Sequence, residues 1–222
     1  MAIVGQSAFA MPYVATNIGN LGGNVQVVDV NGRGEVIGSS VRGDGSIHAI
    51  LYSEGSLRDL DPNGATNSRA QAISENGRVM GTVSVSENQS GFVVFGASGP
   101  RSLGVLDNSF SPGSINSRGD VAASTYGPRL GQDYIEKTRA FVAREGQAVL
   151  PIGPLASWTI DMNEAGVVLG DSNQRAGVYA PRSFLTGVNG NSISLTSLGG
   201  TESRGYDLNN RGQVTGESQL YG

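Results

Sequence analysis

Apolar and polar positions alternate along this chain in short runs, and five times the alternation is broken by the same phrase. An apolar residue is followed by Asn or Ser, a glycine comes three residues later, and a β-branched residue then resumes the alternation. The clearest version is Asp207-Leu208-Asn209-Asn210-Arg211-Gly212-Gln213-Val214-Thr215-Gly216. Close relatives begin at Asp29 and Asp161, and looser ones at Ala72 and Ser114, where Ser74 replaces Asn and Ala123 replaces the final Gly. Period-two alternation predicts half-buried or buried strands. Asn and Ser bond to nearby backbone in turns, and glycine supplies backbone angles other residues avoid. Each phrase therefore predicts strand, tight turn, strand.

The spacing predicts how these units assemble. The turn glycines Gly34, Gly77, Gly119, Gly166 and Gly212 are separated by 43, 42, 47 and 46 residues, and counting on from Gly212 through the chain ends to Gly34 gives 44. Each full repeat holds four strands. In the first they lie near Gln26–Asn31, Glu35–Ser40, Ile47–Tyr52 and Ser56–Asp61. The stretch Ser7-Ala8-Phe9-Ala10-Met11 matches the third-strand position of the other repeats, so the first residues supply what the last repeat lacks. The predicted fold is all-β: a single-domain, five-bladed β-propeller with four antiparallel strands per blade. Its blades span about 20–61, 62–104, 105–153, 154–199, and 200–222 plus 1–19. The ring is closed by pairing N- and C-terminal strands in one blade. The competing architecture is an open β-solenoid.

Several further features fit the HAF repeat, which the chain resembles over nearly its whole length. They are Leu21-Gly22-Gly23, the Asp-x-Asn-x-x-Gly-x-Val-x-Gly turn, His48-Ala49-Ile50 and Asp59-Leu60. That family occurs in bacterial proteins described as probable extracellular repeat proteins. The resemblance implies a secreted or cell-surface bacterial β-protein and brings no catalytic residues with it.

Composition narrows the chemistry. Only 15% of residues are charged, and the net charge is −4. That balance argues against nucleic acid as a partner. There is no cysteine, no run approaches the length of a membrane span, and no cofactor is implied. The apolar start, Met1 to Gly19, lacks a basic leading region and reads as part of the repeat rather than as a signal peptide. His48, the single histidine, reads as a packed or hydrogen-bonded strand residue, because no nucleophile elbow accompanies it. Asp29, Asp161 and Asp207 share one repeat position. Carboxylates around a channel could cleave a glycosidic bond, but a residue that follows the motif is expected to serve the turn. A calcium loop is excluded by Arg33, Ala165 and Arg211, which stand where a ligand would be needed, so no metal is expected.

The position that varies while its surroundings repeat lies five residues before the turn Asn or Ser: Gln26, Arg69, Ser111, Trp158 and Arg204. If the first strand is innermost, these five ring one mouth of the channel. An aromatic face and two guanidinium groups suit a sugar or an acidic substituent. The insertion Tyr126–Glu136 is the second candidate surface. The resulting expectation is a non-enzymatic, extracellular, monomeric ring that binds a glycan or cell-surface ligand. The alternatives are a glycoside hydrolase using channel carboxylates and a purely structural unit of a longer surface protein.

Overall fold

The computed structural model describes residues 14–64, 67–86, 89–96, 99–106, 110–125, 138–144, 147–173, 180–187 and 189–221. These residues contain eighteen strands and no helix, and so no helix long and apolar enough to cross a membrane. The matching segment Ser7–Met11 and the insertion Tyr126–Glu136 lie outside the described residues.

The strands form five antiparallel meanders in chain order. Sheet one contains β1 (Gly22–Val30), β2 (Val36–Arg42), β3 (Ile47–Ser53) and β4 (Ser56–Asp59). Sheet two contains β5 (Ser68–Ile73), β6 (Val79–Ser86), β7 (Gln89–Gly96) and β8 (Gly99–Leu106). Sheet three contains β9 (Phe110–Ile115), β10 (Val121–Thr125), β11 (Arg139–Ala143) and β12 (Leu150–Ile152). Sheet four contains β13 (Ser157–Met162), β14 (Val168–Asn173), β15 (Pro181–Thr186) and β16 (Ser192–Ser194). Sheet five has two described strands, β17 (Gly199–Leu208) and β18 (Val214–Leu220).

Each sheet packs its faces on its neighbours, and period-two alternation decides which residue goes to which side. In β7, Val93 and Phe95 join Ile37, Ala49 and Leu51 of sheet one, while Phe92 and Val94 join Val121, Ala123 and Phe141 of sheet three. Phe92 and Phe141 meet edge to face at 6.1 Å. In β11, Ala140 and Val142 pack instead with Met162, Val168 and Phe184 of sheet four. The first strands follow one another in space as well: β1 against β5, β5 against β9, β9 against β13, β13 against β17. Serines fasten these junctions. Ser68, Ser157 and Ser203 each accept, through Oγ, a backbone N–H from the third strand of the preceding sheet, at 3.0, 3.1 and 3.2 Å.

The repeated phrase forms the turn between first and second strands. Asn31 Oδ1 accepts the Arg33 and Glu35 amides, both at 3.1 Å, and the Gly34 amide bonds to the Asn31 carbonyl. Gly34, Gly77, Gly119, Gly166 and Gly212 all have φ between 74° and 85°, the left-handed region that disfavours a Cβ. All five first strands also carry a β-bulge just before the turn, at Val28, Gln71, Gly113, Ile160 and Tyr206. The bulge explains the last glycine of the phrase. A Cβ on Gly38, Gly81 or Gly216 would fall on the carbonyl oxygen of Gln26, Arg69 or Arg204 in the bulged strand. Sheet three has Ala123 at that place, and there the bulged residue is itself a glycine, Gly113.

Candidate functional site

The turns that end the first strands are fastened to one another across the sheets. Gly32 donates its amide to Glu75 Oε2 at 3.1 Å, and Asn31 Nδ2 donates to the Ser74 carbonyl at 3.0 Å. Asn76 Nδ2 donates to the Ser117 carbonyl. The Ser117 amide and hydroxyl both donate to the Glu164 carboxylate, and the Glu164 amide donates to Asn210 Oδ1. Residues at one repeat position therefore link sheets one to two, three to four and four to five.

The repeated aspartates belong to the same joinery. Asp29 Oδ1 accepts the amide of Val30 at 2.8 Å, and its Oδ2 accepts that of Ile73, in the next sheet, at 3.1 Å. Asp161 repeats the pattern with Met162 at 2.7 Å and Leu208 at 3.1 Å. Asp207 Oδ1 accepts the Leu208 amide. Asp161 is pushed above the ordinary carboxylate range, first by burial and further by the neighbouring Asp207; the two amide bonds oppose the shift.

These turn ends line a solvent-open cavity of about 420 Å³ to which all five sheets contribute. Among the described residues its wall includes four carboxylates, Asp29, Glu75, Asp161 and Glu164, and no arginine, lysine or histidine. Gln71 and Ser114 also contribute to the wall, but Gln71 Oε1 and Ser114 Oγ themselves are closed off from water, behind the lining surface, and have no hydrogen-bond partner. Most buried polar groups are paired, so two unpartnered atoms in neighbouring first strands are unusual. Ser114 opens the phrase in the third repeat, and Gln71 immediately precedes it in the second. The signal that could have found them is the bulge, which shifts the strand's faces by one residue.

Gln26, Arg69, Ser111, Trp158 and Arg204 occupy one register level of the five first strands. They lie opposite Ser39, Thr82, Ser124, Asp171 and Glu217 of the second strands. Gln26 and Arg69 are exposed, and the other three are half-buried. They stand beyond the bulge from the turn, and the cavity is lined by residues nearer the turn than any of the five. Arg204 lines a separate shallow recess with Glu202 and Gln219, where its Nη1 lies 3.9 Å from Glu217.

His48 is fully buried in β3. Its Nδ1 lies 3.0 Å from Asp59 Oδ2, and its Nε2 lies 3.4 Å from Arg42 Nη1. Arginine can only donate, so Nε2 is the acceptor and Nδ1 carries the proton toward Asp59. This is a hydrogen-bonded strand histidine, held between two partners and remote in sequence from the turns.

Compared with known protein families and with curated proteins, the chain matches no family model and no curated protein.

Proposed function

We propose that the chain is a non-enzymatic binding module of the bacterial cell exterior that holds a glycan within a closed five-bladed ring. The observation that carries this reading is the polar cavity built jointly by the turn ends of all five first strands. Its volume falls in the range of roughly 300–1,000 Å³ usual for small-molecule sites. Its wall is rich in groups that bond hydroxyls. Ring closure is supported by the stacking of sheets in chain order and by residues of sheets one and five sharing the cavity wall. In this reading residues 1–19 complete the fifth blade, because the sequence Ser7–Met11 matches the third strand of the other repeats. An exterior location rests on the resemblance of the turn phrase to the HAF repeat.

Binding is favoured over hydrolysis by how the carboxylates are used. Both oxygens of Asp29 and both of Asp161 accept backbone amides. A general acid or nucleophile must instead present an oxygen to the scissile bond. At the other end of the first strands, Gln26, Arg69, Ser111, Trp158 and Arg204 offer a second contact for a longer glycan. Trp158→Ala is expected to weaken such binding several-fold by removing a stacking face. A glycan array run beside a glycosidase assay tests the reading. Binding without turnover supports it. Turnover that Asp161→Asn abolishes would replace it with the hydrolase.

A further inference from the structure

Resting on the closed-ring part of that reading, we infer that the outer edge of β18 is a strand-docking site whose occupant is the chain's own Ser7–Met11, seated antiparallel with Phe9 opposite Gly216. The segment itself lies outside the described residues. The state of β18, the register shared by the other sheets and the sequence of the segment carry the inference together.

β18 stands in sheet five where β2, β6, β10 and β14 stand in theirs. Each of those is paired on both sides, whereas among the described residues β18 pairs only with β17. β2 buries Ile37 through Ser40 and β14 buries Val168 through Ser172, but no residue of β18 is buried. A long edge with free backbone donors and acceptors is a template for another strand.

The third strands of the other sheets define what fits there. The small residue that closes the phrase, Gly38, Gly81, Ala123 or Gly170, lies opposite one large apolar residue: Ile50, Val93, Phe141 or Phe184. All four large residues are buried. Val93, Phe141 and Phe184 each pack back on the preceding sheet. Ala8-Phe9 repeats Ala140-Phe141 and Ser183-Phe184 in sequence, and Gly216 is the matching small residue, left exposed. Phe9 on Gly216 therefore packs back on sheet four and turns Ala8 and Ala10 toward the exposed valines of β1. A slip of one residue would turn Phe9 to the wrong face.

Hydrogen bonds fix the phase of the pairing. Ala49, Ala140 and Ser183 direct their amides to a serine of the next sheet, away from the second strand. Their pairs with Ser39, Ser124 and Asp171 are thus the non-hydrogen-bonded kind. Ala8 opposite Glu217 is the same kind of pair, and the flanking Gly216 and Ser218 supply the amides that bond the incoming strand.

The test uses the full chain, which has no cysteine of its own. Non-hydrogen-bonded pairs bring side chains closest, within reach of a disulfide. Ala8→Cys with Glu217→Cys should form an internal bridge under mild oxidation, and the oxidised form should melt roughly 5–15 °C above the reduced one. The slipped pair, Ser7→Cys with Glu217→Cys, should not bridge. In the unsubstituted protein the amides of Gly216 and Ser218 should exchange with deuterium as slowly as those of Gly38 and Ser40, their counterparts in β2. A bridge in the slipped pair, or slow exchange with no bridge in either, would overturn the register and leave the ring standing. Bridges between two chains would overturn the chain's own segment as occupant and put a second copy's there. Fast exchange of the two amides would overturn the docking and the closed ring together, while the glycan array judges ligand binding separately.

Discussion

Val30 and Ile73 occupy the same place in the repeat, one residue before the turn, yet Ile73 is 9% exposed and Val30 58%. Ile115, Met162 and Leu208, at the same place in sheets three to five, are all buried. The difference lies in what precedes each sheet. Ile73 packs on Ile37 of sheet one, Ile115 on Met80 of sheet two, and Met162 on Ala122 of sheet three. The opposite side of the seam mirrors this. Ile37, Met80, Ala122 and Leu169 share a position and are fully buried, whereas Thr215 in sheet five is exposed. One repeat cannot bury both its faces, and the two faces left over are those that meet if sheet five packs on sheet one. Val27 and Val28 are also exposed on β1. Three exposed valines on one strand make poor sense as a permanent surface.

The harshest way to break this comparison is to remove the segment proposed to complete sheet five. Deleting Met1 to Gly19 is expected to cost about 3 kcal/mol or more and to lower Tm by roughly 6–12 °C for a chain of this size. A truncated protein that melts like the parent and stays monodisperse would disprove the clasp.

A smaller effect separates the packed junctions from the periphery. Gly81→Val puts a side chain onto the Arg69 carbonyl and the Phe95 ring, and is expected to cost about 3 kcal/mol. Gly187, in the β15–β16 connection, meets only Asn189 Oδ1 at 3.2 Å, and Gly187→Ala should cost less than about 0.5 kcal/mol. Denaturant melts of the two variants would show the gap; equal losses would refute the role assigned to the bulge.

The smallest effect is in pH. Glu35, in the turn of sheet one, is raised by burial, but bonds from Asn31, Arg33 and Ser53 outweigh this and hold it below its usual value of 4.5. Its stabilisation is present above that value and fades as pH falls through its lowered pKa. Asp171 in sheet four is raised above 3.8, chiefly by burial, against a bond from Ser183. Its ionisation costs stability, so its contribution is full below 3.8 and is lost as pH rises through the raised pKa. Melting profiles from neutral pH to about pH 3 should therefore diverge: Glu35→Gln flattens the acid-side loss, and Asp171→Asn deepens it. Parallel profiles would contradict both assignments.

The turns were legible in the sequence because everything that makes them is local. Asn31, Gly34 and Glu35 bond within five residues, and the φ of each turn glycine follows from that geometry. The bulges were not, because a bulge exists only as a mismatch between two paired strands. Gln26, Arg69, Ser111, Trp158 and Arg204 stand out in the sequence because that position varies while its surroundings repeat. Gln71 and Ser114, which line the cavity, lie nearer the turn, at the bulge and just after it. The repeated aspartates were expected to bond the turn backbone. Their reach into the next sheet, 44 residues on for Asp29 and 47 for Asp161, could not be read from one repeat alone.

Closure of the ring is tested most directly by matched substitutions on the two sides of the comparison, Val30→Ser and Ile73→Ser, measured by thermal unfolding. If sheet five, completed by residues 1–19, packs on sheet one, Val30 is a core residue, and both variants lose about 1.5–3 kcal/mol. If Ile73→Ser is destabilised by that amount while Val30→Ser melts like the parent, the seam is open and the five sheets are a stack rather than a ring.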